Sequence, residues 1–112
     1  MKHKIVLVPF PFDDLSGMKI RPAVCLTNRI GTYDHVVIAF ITSQASKANE
    51  VSDLMLNETD PDFSQTGLKV TSAIRLHRLV TVPVAIVQRT LGDLPDKFHF
   101  NLAQKLREMF GI

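Results

Sequence analysis

Apolar residues in this chain keep two rhythms. Up to about residue 90 they fall in short runs rich in Val and Ile. From Asp96 onward they recur at helical spacing. The clearest stretch runs from Arg21 to Gln44 and reads RPAVCLTN, RIGTYD, HVVIAFITSQ. Two β-branched runs flank a segment holding Gly31 and Asp34, which predicts a hairpin with a loop longer than two residues. Both arms are apolar on both faces, as in strands buried within a barrel or sandwich. Symmetric pairing about the Gly31–Thr32 junction sets Arg21 opposite Thr42. Arg21 then shares one rim with Thr42, Ser43 and Gln44, and a cation beside hydroxyls is a cradle for a phosphate. The pattern alone reads more simply as ordinary strand ends, because register is weakly fixed by sequence.

The other elements follow in order. Lys4 to Val8 reads as a strand that Pro9 and Pro11 end or hold at a sheet edge. Phe10 and Phe12 are expected to anchor the next loop. Asp13 to Ile20 is a loop with Gly17 at its middle, and it is either a contact surface beside Arg21 or a plain connector. Ala45 to Asn49 reads as loop and Asp53 to Asn57 as a short strand. Glu58 to Gly67, rich in acid, Pro and Gly, is the least ordered by composition. Val70 to Val82 is a long strand. Strict alternation puts Ala73, Arg75, His77 and Leu79 on one face, and Ser72, Ile74, Leu76 and Arg78 on the other. Pro83 interrupts, and Val84 to Thr90 forms a further strand with Gln88 and Arg89 near its end. Gly92 and Asp93 turn the chain, and Pro95 suits a first helical position. Phe98, Leu102, Leu106, Met109 and Phe110 then mark a helix that Gly111 stops. Five or six strands with one terminal helix predict a mainly β fold, a compact antiparallel barrel.

Composition bounds this picture without changing it. The 112 residues suit one domain spanning 1–112. A hydrophobic share of 46% excludes disorder. The single cysteine, Cys25, excludes an internal disulfide and reads as core. MKHKIVLVPFPF resembles a leader peptide, but two prolines and Asp13 break the run, so it reads as the first strand of a cytoplasmic protein. No run has the length of a membrane span. The net charge of +2 says little. Its distribution says more: Glu50, Asp53, Glu58, Asp60 and Asp62 cluster, whereas Phe63 to Gly92 holds no acid but carries Lys69, Arg75, Arg78 and Arg89. That is the footprint of an anion binder, or of a solvated face that happens to be basic.

Several chemistries lack their residues. There is no paired Cys/His spacing for zinc, no Gly-rich phosphate loop and no nucleophile elbow. His3, His35 and His99 are scattered and read as structural. Arg21, Thr42, Ser43, Arg75 and His77 remain, and they suit metal-free cleavage of RNA. Arginine forks match phosphate oxygens, hydroxyls hold the phosphate, and histidine moves protons near neutral pH.

VPFPFDDLSGMKIRPAVCLTN, VVIAFITSQ, TGLKVTSAIRLHRLVT and LGDL stand in an order and spacing that resemble the MazF/PemK/Kid ribonuclease toxins of toxin–antitoxin pairs. The resemblance covers nearly the whole chain. It implies an SH3-like barrel forming a homodimer, cleavage of single-stranded RNA to a 2′,3′-cyclic phosphate and a 5′-hydroxyl, no cofactor, and a cognate antitoxin. Arg21 matches the arginine of the family's RP motif, Thr42 and Ser43 its hydroxyl pair, and Arg75 its later strand arginine. Kid-like members carry an aspartate where this chain has His77. The region before Arg21 also departs from the longer GxEQxGxRP form. Arg21, Thr42, Arg75 and His77 are thus the expected catalytic set, with Lys19, Ser43, Gln44, Arg78 and Arg89 as RNA contacts. A non-catalytic CcdB-like inhibitor that binds a protein such as gyrase, or a degenerate binding module, is the alternative on the same fold.

Overall fold

In the computed structural model, residues 1–10 and 19–112 are described. The side-chain contacts expected of Phe10 and Phe12, and the Asp13–Met18 part of the loop expected over Asp13–Ile20, lie outside what is described. Six strands form one antiparallel sheet in the order β4-β5-β3-β2-β1-β6, curled into a half-barrel. The strands are β1 (Lys4–Phe10), β2 (Lys19–Cys25), β3 (His35–Thr42), β4 (Asp53–Leu56), β5 (Ser72–Pro83) and β6 (Arg89–Asp93), followed by helix α1 (His99–Phe110). The mainly β barrel with a terminal helix is the fold expected.

Apolar residues on both faces of the hairpin are explained by two cores. Val24, Ala39 and Ile41 join a first cluster with Ile5, Ile74 and Leu76. Ala23, Cys25, Ile38 and Phe40 join a second with Val6, Val8 and Val82. Neighbouring residues along each strand therefore feed opposite cores, as the pleat requires. Leu102 of α1 is buried in the first cluster, with Phe98 and Leu106 packed against it. The helix ends at Gly111, whose φ of 72° lets its N–H turn back to the Glu108 carbonyl.

Several expectations are corrected. β1 runs through Pro9 to Phe10 and pairs with β2 along that length, whereas β6 covers only Lys4 to Leu7. Among the described residues Pro9 thus has a strand on one side only, so its missing N–H costs no ladder bond there. β2 begins at Lys19, two residues earlier than the hairpin pattern implied. Val84 to Thr90 is not one strand: Val84–Ile86 forms a short 3₁₀ turn. Val84, Ile86 and Val87 pack against the second core and close it, a gain that an extended course over the same residues would forgo. Gly92 and Asp93 lie in β6 and make no turn; Asp93 pairs with Lys4 across the ladder and in an ion pair of 2.8 Å. Pro95 precedes a 3₁₀ turn at Asp96–Phe98, and α1 proper starts at His99.

Glu58 to Gly67 is firmly held despite its composition. Phe63 and Thr66 are buried, and the Thr66 hydroxyl donates to the Phe63 carbonyl at 2.7 Å. The Lys97 ammonium reaches Asp60 at 2.6 Å and Asp62 at 3.4 Å. Its hydrogen bond lowers the Asp60 pKa and raises that of Lys97. Backbone contact with β6 leaves no room for a side chain at two places. A Cβ on Gly67 would collide with the Leu91 carbonyl, and one on Gly92 with the carbonyls of Gln65 and Thr66.

Candidate functional site

The β2–β3 ladder has the register predicted by symmetry about Gly31–Thr32, although the tight turn itself, with Ile30 bridging His35, is centred one residue later. Ala23 pairs with Phe40, Val24 with Ala39 and Cys25 with Ile38; two further steps bring Arg21 level with Thr42. Arg21 continues the face of Ala23 and Cys25, and Thr42 that of Ile38 and Phe40. Both residues therefore stand at the rim of the second core. The far end turns through Gly31 (φ 75°) and Asp34 (φ 52°), with Asp34 and Arg29 3.6 Å apart.

β5 behaves differently. Val82 down to Leu79 pairs with Val36 up to Ala39, but Ile74 pairs with Ile41, so five steps on β5 oppose two on β3. The alternation slips: Ile74 and Leu76 face the first core, and so does Leu79, three residues on. Strict alternation over 72–79 is thus corrected. The slip is a β-bulge, which re-aims side chains where it occurs. It brings Arg75 and Arg78, assigned to opposite faces by pattern, to one cavity.

That cavity has a volume of about 260 Å³ and is lined by Arg21 on β2, by Thr42, Ser43 and Gln44 leaving β3, and by Arg75 and Arg78 on β5, with Phe40 and Ile41 supplying its apolar part. The Thr42 hydroxyl accepts the Gln44 N–H at 3.1 Å, which leaves its own O–H to donate. A larger hollow of about 470 Å³ lies along α1, lined by residues such as Phe100, Gln104, Arg107 and Glu108. It gathers neither several cations nor a hydroxyl, so the chemistry favours the smaller one. Among the described residues no group of three or more His, Cys, Asp or Glu could hold a metal ion, and no helix is long and apolar enough to cross a membrane.

His77 does not line the cavity; its ring contacts Arg75, which does. Its Nε2 lies 3.4 Å from Arg75 Nη2 and its Nδ1 2.8 Å from Ser52 Oγ. Because a guanidinium only donates, this contact assigns the lone pair to Nε2 and the proton to Nδ1, which donates to Ser52. Lys19 and Arg89 are exposed on β2 and β6 and do not line the cavity. Asp53, overlooked in the sequence, is buried and accepts the Arg75 Nε–H at 2.8 Å. Its only signal was an acid at the start of a strand predicted to be largely apolar.

His3 and His99 are structural, as read. Their rings stack with centroids 3.6 Å apart, and His99 Nε2 is 2.8 Å from the Leu94 carbonyl. Burial, then the neighbouring His99 and Lys2, lower the His3 pKa.

A curled β half-barrel with three arginines and two hydroxyls around one rim cavity defines a small β protein with a basic rim. The chain belongs to the PemK-like, MazF-like toxins of type II toxin–antitoxin systems, whose family pattern it matches over residues 2–110. Membership makes it a toxin that has an antitoxin as counterpart. The solved Mycobacterium tuberculosis toxin MazF-mt6 has the same fold: 97% of each chain superposes with a TM-score of 0.74 at 20% identity. A comparison with curated proteins finds no match.

Proposed function

We propose that residues 1–112 form one toxin domain that acts in the cytoplasm as a metal-independent endoribonuclease on single-stranded RNA, mRNA above all. It works as a homodimer and is silenced by its cognate antitoxin. The observation that carries this reading is the convergence of Arg21, Arg75 and Arg78 with Thr42 and Ser43 on one cavity. The reaction moves the 2′-hydroxyl proton to a base, attacks the adjacent phosphorus, and expels the 5′-oxygen with a proton. It leaves a 2′,3′-cyclic phosphate and a 5′-hydroxyl. Arg21 and Arg75 neutralise the charge that gathers on the phosphorane, where fixed donors act most strongly. The Thr42 hydroxyl donates to a phosphate oxygen, and Ser43, Gln44 and Arg78 hold the flanking RNA. Lys19 and Arg89 extend the basic surface along the strand. His77 is the base once its Nε2 lone pair, which faces Arg75 Nη2 beside the cavity, turns from that contact to the 2′-hydroxyl.

Incubating the protein with a long single-stranded RNA in EDTA tests this. Fragments with 5′-hydroxyl ends are expected. Intact RNA together with inhibited gyrase would replace the nuclease reading with a protein-binding one. Co-purification with the product of the neighbouring reading frame tests the antitoxin.

A further inference from the structure

Asp53 is the one buried carboxylate among the described residues, and its side chain is 2% exposed. It comes from the acid-rich segment before Asp62, yet it sits under the acid-free, arginine-bearing strand. The β4–β5 ladder pairs Asp53 directly with Arg75. Both of its oxygens are used: Oδ1 accepts the Arg75 Nε–H at 2.8 Å, and Oδ2 accepts the Glu50 N–H at 2.9 Å. His77 Nδ1 lies 4.0 Å from the same Oδ1.

Two consequences follow from this geometry. A guanidinium can grip a phosphate side-on, through Nε and one terminal nitrogen, or end-on, through both terminal nitrogens. With Nε held by Asp53, the side-on mode is closed. Secondly, the carboxylate faces two fixed N–H donors, and only a group with two acceptor oxygens serves both. An amide would present its own N–H₂ to one of them, leaving a buried donor facing a donor.

We propose that Asp53 is the positioning residue of the site: it locks Arg75 so that only its terminal nitrogens meet the scissile phosphate. Asp53 does not touch RNA; it acts through Arg75. This rests on the nuclease reading above. A guanidinium held in one pose loses little freedom when charge develops on the phosphate, and a misplacement of about 1 Å at such a group costs about 10²-fold in rate.

A double-mutant cycle tests it. Asp53→Asn is expected to lower kcat on RNA about 10²-fold with KM nearly unchanged, and to slow the Arg75→Ala protein no further. Asp53→Glu, which keeps two acceptors, should recover part of the rate. A further loss of the same size in the Arg75→Ala background, or an Asp53→Asn protein as fast as wild type, would overturn the proposal. If the wild-type protein cleaves no RNA, the nuclease reading falls separately, and the lock is read from the NMR signal of the Arg75 Nε–H, assigned by its loss in Arg75→Lys. A signal protected from exchange in the wild type and exposed in Asp53→Asn, with backbone amide signals elsewhere unmoved, supports it. Equal protection in both proteins overturns it.

Discussion

The hairpin β2–β3 and strand β5 both deliver residues to the cavity, but by different means. In the hairpin, the ladder runs regularly from Cys25 and Ile38 outward, so Arg21 comes level with Thr42, although Ile30 bridges His35 nearer the turn, two places out of that register. In β5, counting fails between Leu76 and Leu79. The slip opposite Phe40 breaks the alternation, so that Arg75 and Arg78 line the same cavity. A regular ladder between neighbouring strands sets the first arrangement, and a long-range fit to β3 and β4 sets the second. The site thus combines a rim placed by one regular ladder with a pair of arginines whose placement depends on the slip in β5.

The largest expected effect lies on the hairpin side. Arg21→Ala should lower single-turnover cleavage by about 10²–10³, the usual cost of removing a donor aimed at developing charge, while the melting temperature stays near that of wild type. Near wild-type cleavage by the folded variant would remove Arg21 from the chemistry.

Next comes the contact that fixes β6 against the 58–67 segment. Gly92→Ala should destabilise by about 1–3 kcal/mol through overpacking, read in urea unfolding. An unchanged midpoint would mean that the two backbones part easily.

The β-bulge is tested by a pair of basic residues. Arg78→Ala should weaken binding of an uncleavable 2′-deoxy oligonucleotide about tenfold, in line with the loss of one hydrogen bond to a charged group. Arg89→Ala, on an exposed position outside the cavity, should change it much less. Equal losses would show that RNA does not distinguish the cavity from the rest of the basic surface.

The smallest effect concerns the stacked histidines, which neither region uses. The His3 pKa is lowered from its ordinary value of 6.5 in the folded protein, so the unfolded chain binds the proton more readily. Stability is therefore full above about pH 6.5 and declines as the pH falls through the folded-state value. His3→Gln should flatten this part of the melting-temperature profile; an unaltered slope would assign the acid sensitivity elsewhere.

Most of the fold and part of the site could be read from residues alone. Periodicity placed β3, β4, most of β5 and the helix, because each buries a face whose spacing matches its geometry. Symmetry about Gly31–Thr32 brought Arg21 to Thr42, and the β2–β3 ladder has that register because apolar residues on both strands are buried in it, even though the tight turn closed by Ile30 and His35 is centred one residue later. The tertiary structure decided the rest. Val84, Ile86 and Val87 have the composition of a strand but close the second core, and only the presence of that core says so. Gly92 looks like a turn residue and instead lies in β6 where two backbones meet, and Gly67, which does cap a turn at φ 73°, meets the Leu91 backbone as well. Arg78 joins Arg75 because the sheet bends at the slip. Asp53 gains its role only from pairing with a residue 22 positions away, and a buried carboxylate is stable there because two donors, distant or local, converge on it.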